Sequence, residues 1–160
     1  MHIMFIPSWY SNVRNKVHGS FFKEQALELQ KAGVEVTVAY NEVWPLTMLG
    51  KIHEEKGLKY NVEDKRMEKL YKEIVKKEGA IDIIHAQSSL WGGISAAYIA
   101  EKYNIPLVIT EHSSVERGPY VKKSYIPFIC DSYKKAQKVI TVGNGLKNEI
   151  ESLSGRHDIE

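Results

Sequence analysis

The stretch Asp82–His112 constrains the fold most tightly. Asp82-Ile83-Ile84-His85 is a short apolar run ending in histidine, and Ser88–Tyr103 reads as a helix opened by small residues. Asn104-Ile105-Pro106 closes that helix, because proline cannot continue it. Leu107-Val108-Ile109-Thr110 is a second apolar run, and Glu111-His112-Ser113-Ser114 follows at once. Two apolar strands flanking a helix within about 30 residues predict a parallel βαβ unit. His85 and His112 would then emerge together at the carboxyl edge, where open α/β sheets bind ligands.

The rest of the chain extends this unit on both sides. Ile3–Ile6 is short and apolar enough for a buried strand. The loop Pro7–Gly19 that follows is long, a length that compact domains use for function. Ser20–Ala32 predicts a helix with Phe22, Ala26 and Leu29 on one face, stopped by Gly33. Val34–Tyr40 alternates apolar and polar residues, which predicts a second strand less buried than the first. Asn41–Gly57 has no clean period and reads as loop, with a short strand over Leu58–Val62. Asp64–Glu78 has helical spacing in Met67, Leu70, Tyr71, Ile74 and Val75, and Gly79 as its stop. Pro119–Ala136 is helical by the period of Val121, Tyr125, Phe128 and Ile129, and Pro127 inside it predicts a kink or two abutting helices. Lys138–Val142 is a strand, Gly143-Asn144-Gly145 a turn and Leu146–Leu153 a short helix. Alternating strands and helices predict an α/β, Rossmann-like, doubly wound parallel sheet with helices on both faces.

Composition narrows the classes. A chain of 160 residues builds a core without staples, and the whole length reads as one domain, 1–160. With 43% hydrophobic and 26% charged residues it is not a disordered segment, and a net charge of +2 gives no reason to expect nucleic acid. The lone Cys130, among apolar helix neighbours, excludes a disulfide framework, reads as a buried thiol and fits a reducing cytoplasm. No apolar run approaches the roughly 18–20 residues of a membrane span. Met1–Ile6 lacks the basic lead-in of a signal peptide. The six histidines form no HxxxH pair and there is no CxxC, so no metal site is expected.

Three features fall at the predicted carboxyl edge. Gly19 opens the first helix, whose free N–H groups and positive dipole end suit a phosphate, and a glycine there lets a ligand approach the backbone. Spacing alone fits equally well a glycine that merely permits the turn, since no full GxGxxG or GxxxxGK[ST] pattern is present. His112, beside Glu111, can hydrogen-bond a sugar hydroxyl or phosphate or act as acid or base near neutral pH. The alternative is a histidine that caps its strand, and the same two readings apply to His85. Gly143-Asn144-Gly145 reads as a turn before a ligand contact. Lys122, Lys123, Lys134, Lys135 and Lys138, with Tyr120, Tyr125 and Phe128, form either a solvated helix face or a basic membrane-facing surface.

Five blocks together resemble family-4 glycosyltransferases of the GT-B fold. They are Ile6-Pro7-Ser8-Trp9-Tyr10, Gly19–Ala26, His85–Gly93, Thr110–Ser114 and Lys138–Lys147, spanning about residues 3–150. The resemblance implies the N-terminal, acceptor-binding half of a two-domain enzyme that moves a sugar from a nucleotide-sugar donor to a glycan or lipid-linked acceptor. It further implies retention of anomeric configuration, neither bound metal nor cofactor, and cytoplasmic work in cell-surface polysaccharide synthesis, with peripheral contact at the inner face of the membrane as an option. His112 would face the transferred sugar as the catalytic residue, and Gly19 would lie near the donor diphosphate. Ser8, Trp9, Tyr10, His85, Gln87, Ser88, Glu111, Ser113 and Asn144 would line the acceptor side of the cleft. Gln87 stands where the family often has histidine, and the partner C-terminal, nucleotide-sugar-binding domain is expected beyond Glu160. The fold pattern without these blocks fits a second function, a stand-alone Rossmann-like or flavodoxin-like module that binds a small ligand without catalysis.

Overall fold

The computed structural model describes residues 1–11, 16–40 and 67–160, together with the backbone of His53–Glu55 and Leu58–Tyr60. Among these residues the main sheet has five strands, all parallel, in the order β2-β1-β5-β6-β7. The strands are β1 (His2–Pro7), β2 (Glu35–Val38), β5 (Ile83–Gln87), β6 (Leu107–Glu111) and β7 (Lys138–Thr141). Two further short strands, β3 (His53–Glu55) and β4 (Leu58–Tyr60), form an antiparallel hairpin apart from that sheet. The expected strand at Leu58–Val62 is thus β4, and its partner β3 carried no sequence period. The expectations for residues 41–52 and for a helix start at Asp64 lie outside the described residues.

The helices are α1 (Ser20–Lys31), α2 (Met67–Glu78), α3 (Ile94–Tyr103), α4 (Ile126–Lys135) and α5 (Asn144–Ser154). Strand alternation decides which helix each residue meets. Phe5 and Val36 point to one side and pack with Phe22 and Ala26 of α1. Met4, Ile6, Ile84, Ala86, Leu107, Ile109 and Val139 point to the other, into a larger core with α2, α3, α4 and α5. β1 is buried along its whole length while β2 is mixed, as the alternation in Val34–Tyr40 predicts. None of the described helices is long and apolar enough to cross a membrane.

Three local expectations need correction. The helix expected from Ser88 begins only at Ile94. Before it, Ser89–Gly93 makes a wide turn in which Leu90 and Trp91 are not helical. Gly143-Asn144-Gly145 is not a separate turn: Asn144 and Gly145 already form the first turn of α5, with Gly143 as its cap. Phe128, expected on the buried face of its helix, is 60% exposed, and the core position is taken by Tyr133. The proline expectation holds in the form of two abutting helices, although residues 119–122, expected within the helix, are not helical. Pro127 sits in the first turn of α4, where its missing N–H costs nothing, and a short 3-10 turn at Lys123–Tyr125 abuts it.

β1 connects outward to β2, whereas β5 connects the other way, through α3, to β6. The chain therefore reverses direction between β1 and β5. At such a switch point the two loops part and leave a crevice beyond the strand ends. The loops that part here are the one from Pro7 to Gly19 and the one from Ser88 to Gly93.

Candidate active site at the carboxyl edge of the sheet

The first wall of the crevice is the start of α1. Gly19 precedes the helix with φ +72°, and a Cβ there would lie 2.9 Å from the Trp9 carbonyl oxygen. Only glycine accepts both constraints without strain. Trp9 fills the adjoining space, stacked on His18 and tilted against Phe22. Tyr10 turns inward instead. It is buried in the core on the α1 side, with its ring beside Tyr40.

The second wall is the Ser88–Gly93 turn. Ser88 (φ 66°, ψ 144°) and Trp91 (φ 58°, ψ −61°) occupy backbone regions that non-glycine residues avoid, at a cost of about 1–3 kcal/mol each. Neighbouring bonds hold them there. Ser88 N–H donates to the Thr110 carbonyl at 2.8 Å and Gly93 N–H to the Ser88 carbonyl at 3.0 Å. Buried Ser8 acts as a clip from the first loop: its one hydroxyl proton is shared between the Ser88 and Leu90 carbonyls, and its oxygen accepts from Gly92 N–H. Gly92 permits this, because a Cβ would lie 2.8 Å from Ser8 Oγ and 3.0 Å from the Ile6 oxygen.

The end of β6 supplies two side chains to opposite faces. Glu111 points toward α3 and α4 and is 1% exposed. Its carboxylate accepts from the backbone N–H of Ser89 (2.8 Å), His112 (3.0 Å) and Ser113 (3.2 Å) and from the Tyr133 hydroxyl (2.8 Å). A buried carboxylate needs such donors, and here they tie the Ser88–Gly93 turn and the segment just after β6 to α4. Burial, then the Glu111 charge, raises the Tyr133 pKa well above the ordinary phenol range, so Tyr133 keeps the proton it donates. With that proton committed, the Ser89 hydroxyl, 2.8 Å away, is the donor to the Tyr133 oxygen.

His112 lies on the other face, half-buried against the first turn of α1, with ring centroids 5.2 Å from Phe21 and 5.0 Å from Phe22. Burial lowers its pKa, partly opposed by the Glu111 charge. Its Nε2 lies 2.7 Å from Gln87 Oε1. His85 sits two residues inside β5, because the strand continues to Gln87. It bonds Gln87 at 2.9 Å and Thr110 at 2.8 Å instead of standing free at the rim. Burial, assisted by the neighbouring His112, pulls its pKa down to about 4.

The loop after His112 is ordered from below. Glu149 of α5 accepts from Val115 N–H (2.6 Å), Glu116 N–H (2.9 Å) and the Ser114 hydroxyl (2.8 Å). Between this loop and the first wall is a cavity of about 170 Å³, lined by Trp9, Leu90, Glu111, Ser113, Val115 and Tyr120 among others. Gln87 and Ser88 are fully buried behind the cleft surface, whereas Ser113 is exposed upon it. Asn144 is exposed at the carboxyl end of β7, one strand away. Among the described residues no three His, Cys, Asp or Glu side chains converge as a metal site would require.

Sequence reasoning gave no role to Tyr133, Thr110 and Glu149, and it placed Ser89 only as part of a cleft loop. Only Tyr133 left a usable signal, four residues after the buried Ile129 on a helix, and Phe128 competed with it.

The model of Glycosyltransferase Family 4 matches residues 19–160. The chain belongs to that family. The resemblance carried by the five sequence blocks therefore holds. A Bacillus subtilis (strain 168) relative, TuaC, named "Putative teichuronic acid biosynthesis glycosyltransferase", is 26% identical over 184 residues. That match takes in 97% of this family-4 chain and 47% of the relative. Two solved structures share the fold. One is an alpha-glucosyltransferase in complex with UDP-glucose and DNA containing an abasic site, with TM-score 0.58 and 15% identity over 98% of this chain and 40% of that one. The other is an alpha-glucosyltransferase in complex with UDP and a 13-mer DNA, with TM-score 0.51 and 17% identity over 92% of this chain and 39% of that one. The family-4 chain thus spans somewhat less than half the length of each of these proteins.

Proposed function

We propose that this family-4 chain is the acceptor-side lobe of a retaining, metal-independent glycosyltransferase. The enzyme moves a hexosyl unit from a nucleotide sugar to a glycan or lipid-linked acceptor during cell-surface polysaccharide assembly. One observation carries the reading: His112 meets the first turn of α1, just after Gly19, at the crevice where the chain changes direction. A diphosphate at that helix end meets the positive end of the helix dipole, so the leaving group is stabilised as the sugar–oxygen bond breaks. His112 then lies beside the transferred sugar. The cavity next to Trp9 and Tyr120 takes the acceptor, whose hydroxyl oxygen forms the new bond as its proton passes to the departing diphosphate oxygen. A second, nucleotide-binding lobe supplies the remaining donor contacts. The naming of the TuaC relative for teichuronic acid biosynthesis supports an acceptor from polysaccharide synthesis.

Tyr120 and Phe128 are 70% and 60% exposed, and Lys122 and Lys123 are exposed beside them. Lys135 and Lys138 are held in ion pairs with Glu101, Asp131 and Glu160, so the basic surface narrows to the first two lysines and Lys134. Tyr120 also rims the cavity, so docking this patch on an anionic bilayer would bring a lipid-linked acceptor to the crevice. Co-sedimentation with phosphatidylglycerol vesicles should be lost when Lys122 and Lys123 are both changed to Glu.

The test of the whole reading is transfer of labelled sugar from a panel of nucleotide sugars to membrane extracts by the two-lobed enzyme. The lobe alone should give no significant transfer. Transfer from no donor, with tight nucleotide-sugar binding by the lobe alone, would replace this reading with that of a binding module.

A further inference from the structure

Gln87 is the last residue of β5 and is 0% exposed. Strand alternation sends its side chain to the α1 side, with His85 from its own strand, Thr110 from β6 and His112 just past the end of β6. There the amide stands between two imidazoles, with Nε2 at 2.9 Å from His85 Nε2 and Oε1 at 2.7 Å from His112 Nε2.

An amide presents donors on one side and an acceptor on the other, so the protons can be followed outward. His85 Nε2 receives the amide N–H and also lies 2.8 Å from Thr110 Oγ1, a group that can donate. That nitrogen therefore carries the lone pair, and the His85 proton is on Nδ1. Burial, which keeps His85 uncharged at neutral pH, agrees with this arrangement. On the other side, Gln87 Oε1 can only accept, so with the amide in this orientation His112 Nε2 carries the proton. Phe21 and Phe22 limit the His112 ring without offering an oxygen or nitrogen. The Glu111 carboxylate bonds the backbone N–H of His112, not its ring. Turning the ring over would leave the buried amide oxygen facing carbon, unpaired.

We propose that Gln87 is a positioning residue that fixes His112 in the Nε2–H tautomer, so that His112 offers Nδ1 to the crevice as a hydrogen-bond acceptor. The group recognised is then one that brings its own proton, a sugar hydroxyl, and not a phosphate oxygen or a carbonyl. The identity of that ligand rests on the proposed transferase function; the tautomer does not.

Histidine-selective ¹⁵N labelling and two-bond ¹H–¹⁵N correlation of the protein at pH 7.5 read the tautomers directly, with His112→Gln assigning the signals. The expected spectrum has His112 as Nε2–H and His85 as Nδ1–H. In Gln87→Leu, His112 should relax to a mixture of tautomers. Gln87→Glu, which keeps an acceptor in place, should retain Nε2–H at His112. A wild-type His112 protonated on Nδ1 overturns the proposal, and so does an unchanged His112 signal in a folded Gln87→Leu. If Gln87→Leu does not fold, the wild-type spectrum and Gln87→Glu still decide. In the two-lobed enzyme Gln87→Leu should lower kcat by at least about tenfold with a smaller change in donor KM, as loss of an imidazole's orienting partner does. Absent transfer with the Nε2–H signal intact would count against the transferase reading alone.

Discussion

The Phe22 and His112 rings stand nearly perpendicular, at 82°, with centroids 5.0 Å apart. Phe22 is also a fully buried member of the core under α1. The histidine at the end of β6 is thus aligned by the same side chain that seats the first helix on the sheet. Position of the helix end and orientation of the imidazole are one structural fact.

Replacing His112 by Ala removes a half-buried ring but no core residue, so the far-ultraviolet spectrum should not change. Turnover in the two-lobed enzyme should fall about 100-fold or more, the scale of losing a positioned acid–base or polar group. Wild-type turnover would take His112 out of the mechanism.

Tyr133→Phe takes one donor from the buried Glu111 carboxylate. The remaining backbone donors keep the charge tolerable, so the cost is expected at about 1–3 kcal/mol in urea denaturation. A cost near zero would mean that water replaces the hydroxyl, and the idea of a loop-to-α4 tie would fail.

Gly92 and Gly145 should respond oppositely to alanine. At Gly92 the new methyl meets Ser8 Oγ and two backbone atoms at 2.8–3.0 Å, so a loss of about 1–3 kcal/mol is expected. At Gly145, in the first turn of α5 with nothing within 4 Å, alanine should stabilise by about 0.5–1 kcal/mol. Thermal unfolding of both variants side by side reads the difference.

Acid should weaken the fold through His85. Its pKa is about 4 in the folded protein against the ordinary 6.5. Between those values the unfolded chain binds more protons, so stability rises with pH across the window. The contribution is fully present above pH 6.5 and is lost as the pH falls toward 4, up to about 3 kcal/mol. Denaturation of wild type and His85→Gln at pH 7 and 4.5 should show a shallower dependence in the variant; equal slopes would place the acid sensitivity elsewhere.

The order of strands and helices, β3 excepted, was legible in the residues alone, and so were the helix stops at Gly33, Gly79 and Pro106. These depend on period and turn chemistry, which act over a few residues. The five blocks around Trp9, Gly19, His85, His112 and Gly143 also sufficed to show the family. Tertiary structure alone decided what those residues touch. Ser8 clips a turn 80 residues away, Tyr133 of α4 meets Glu111 of β6, and Gln87 stands between two histidines of neighbouring strands. It also delayed α3 to Ile94, since the strained Ser88–Trp91 turn persists only while Ser8 and Thr110 hold its backbone. Such pairings follow from which strand lies beside which and which face each side chain takes, and no local pattern encodes that.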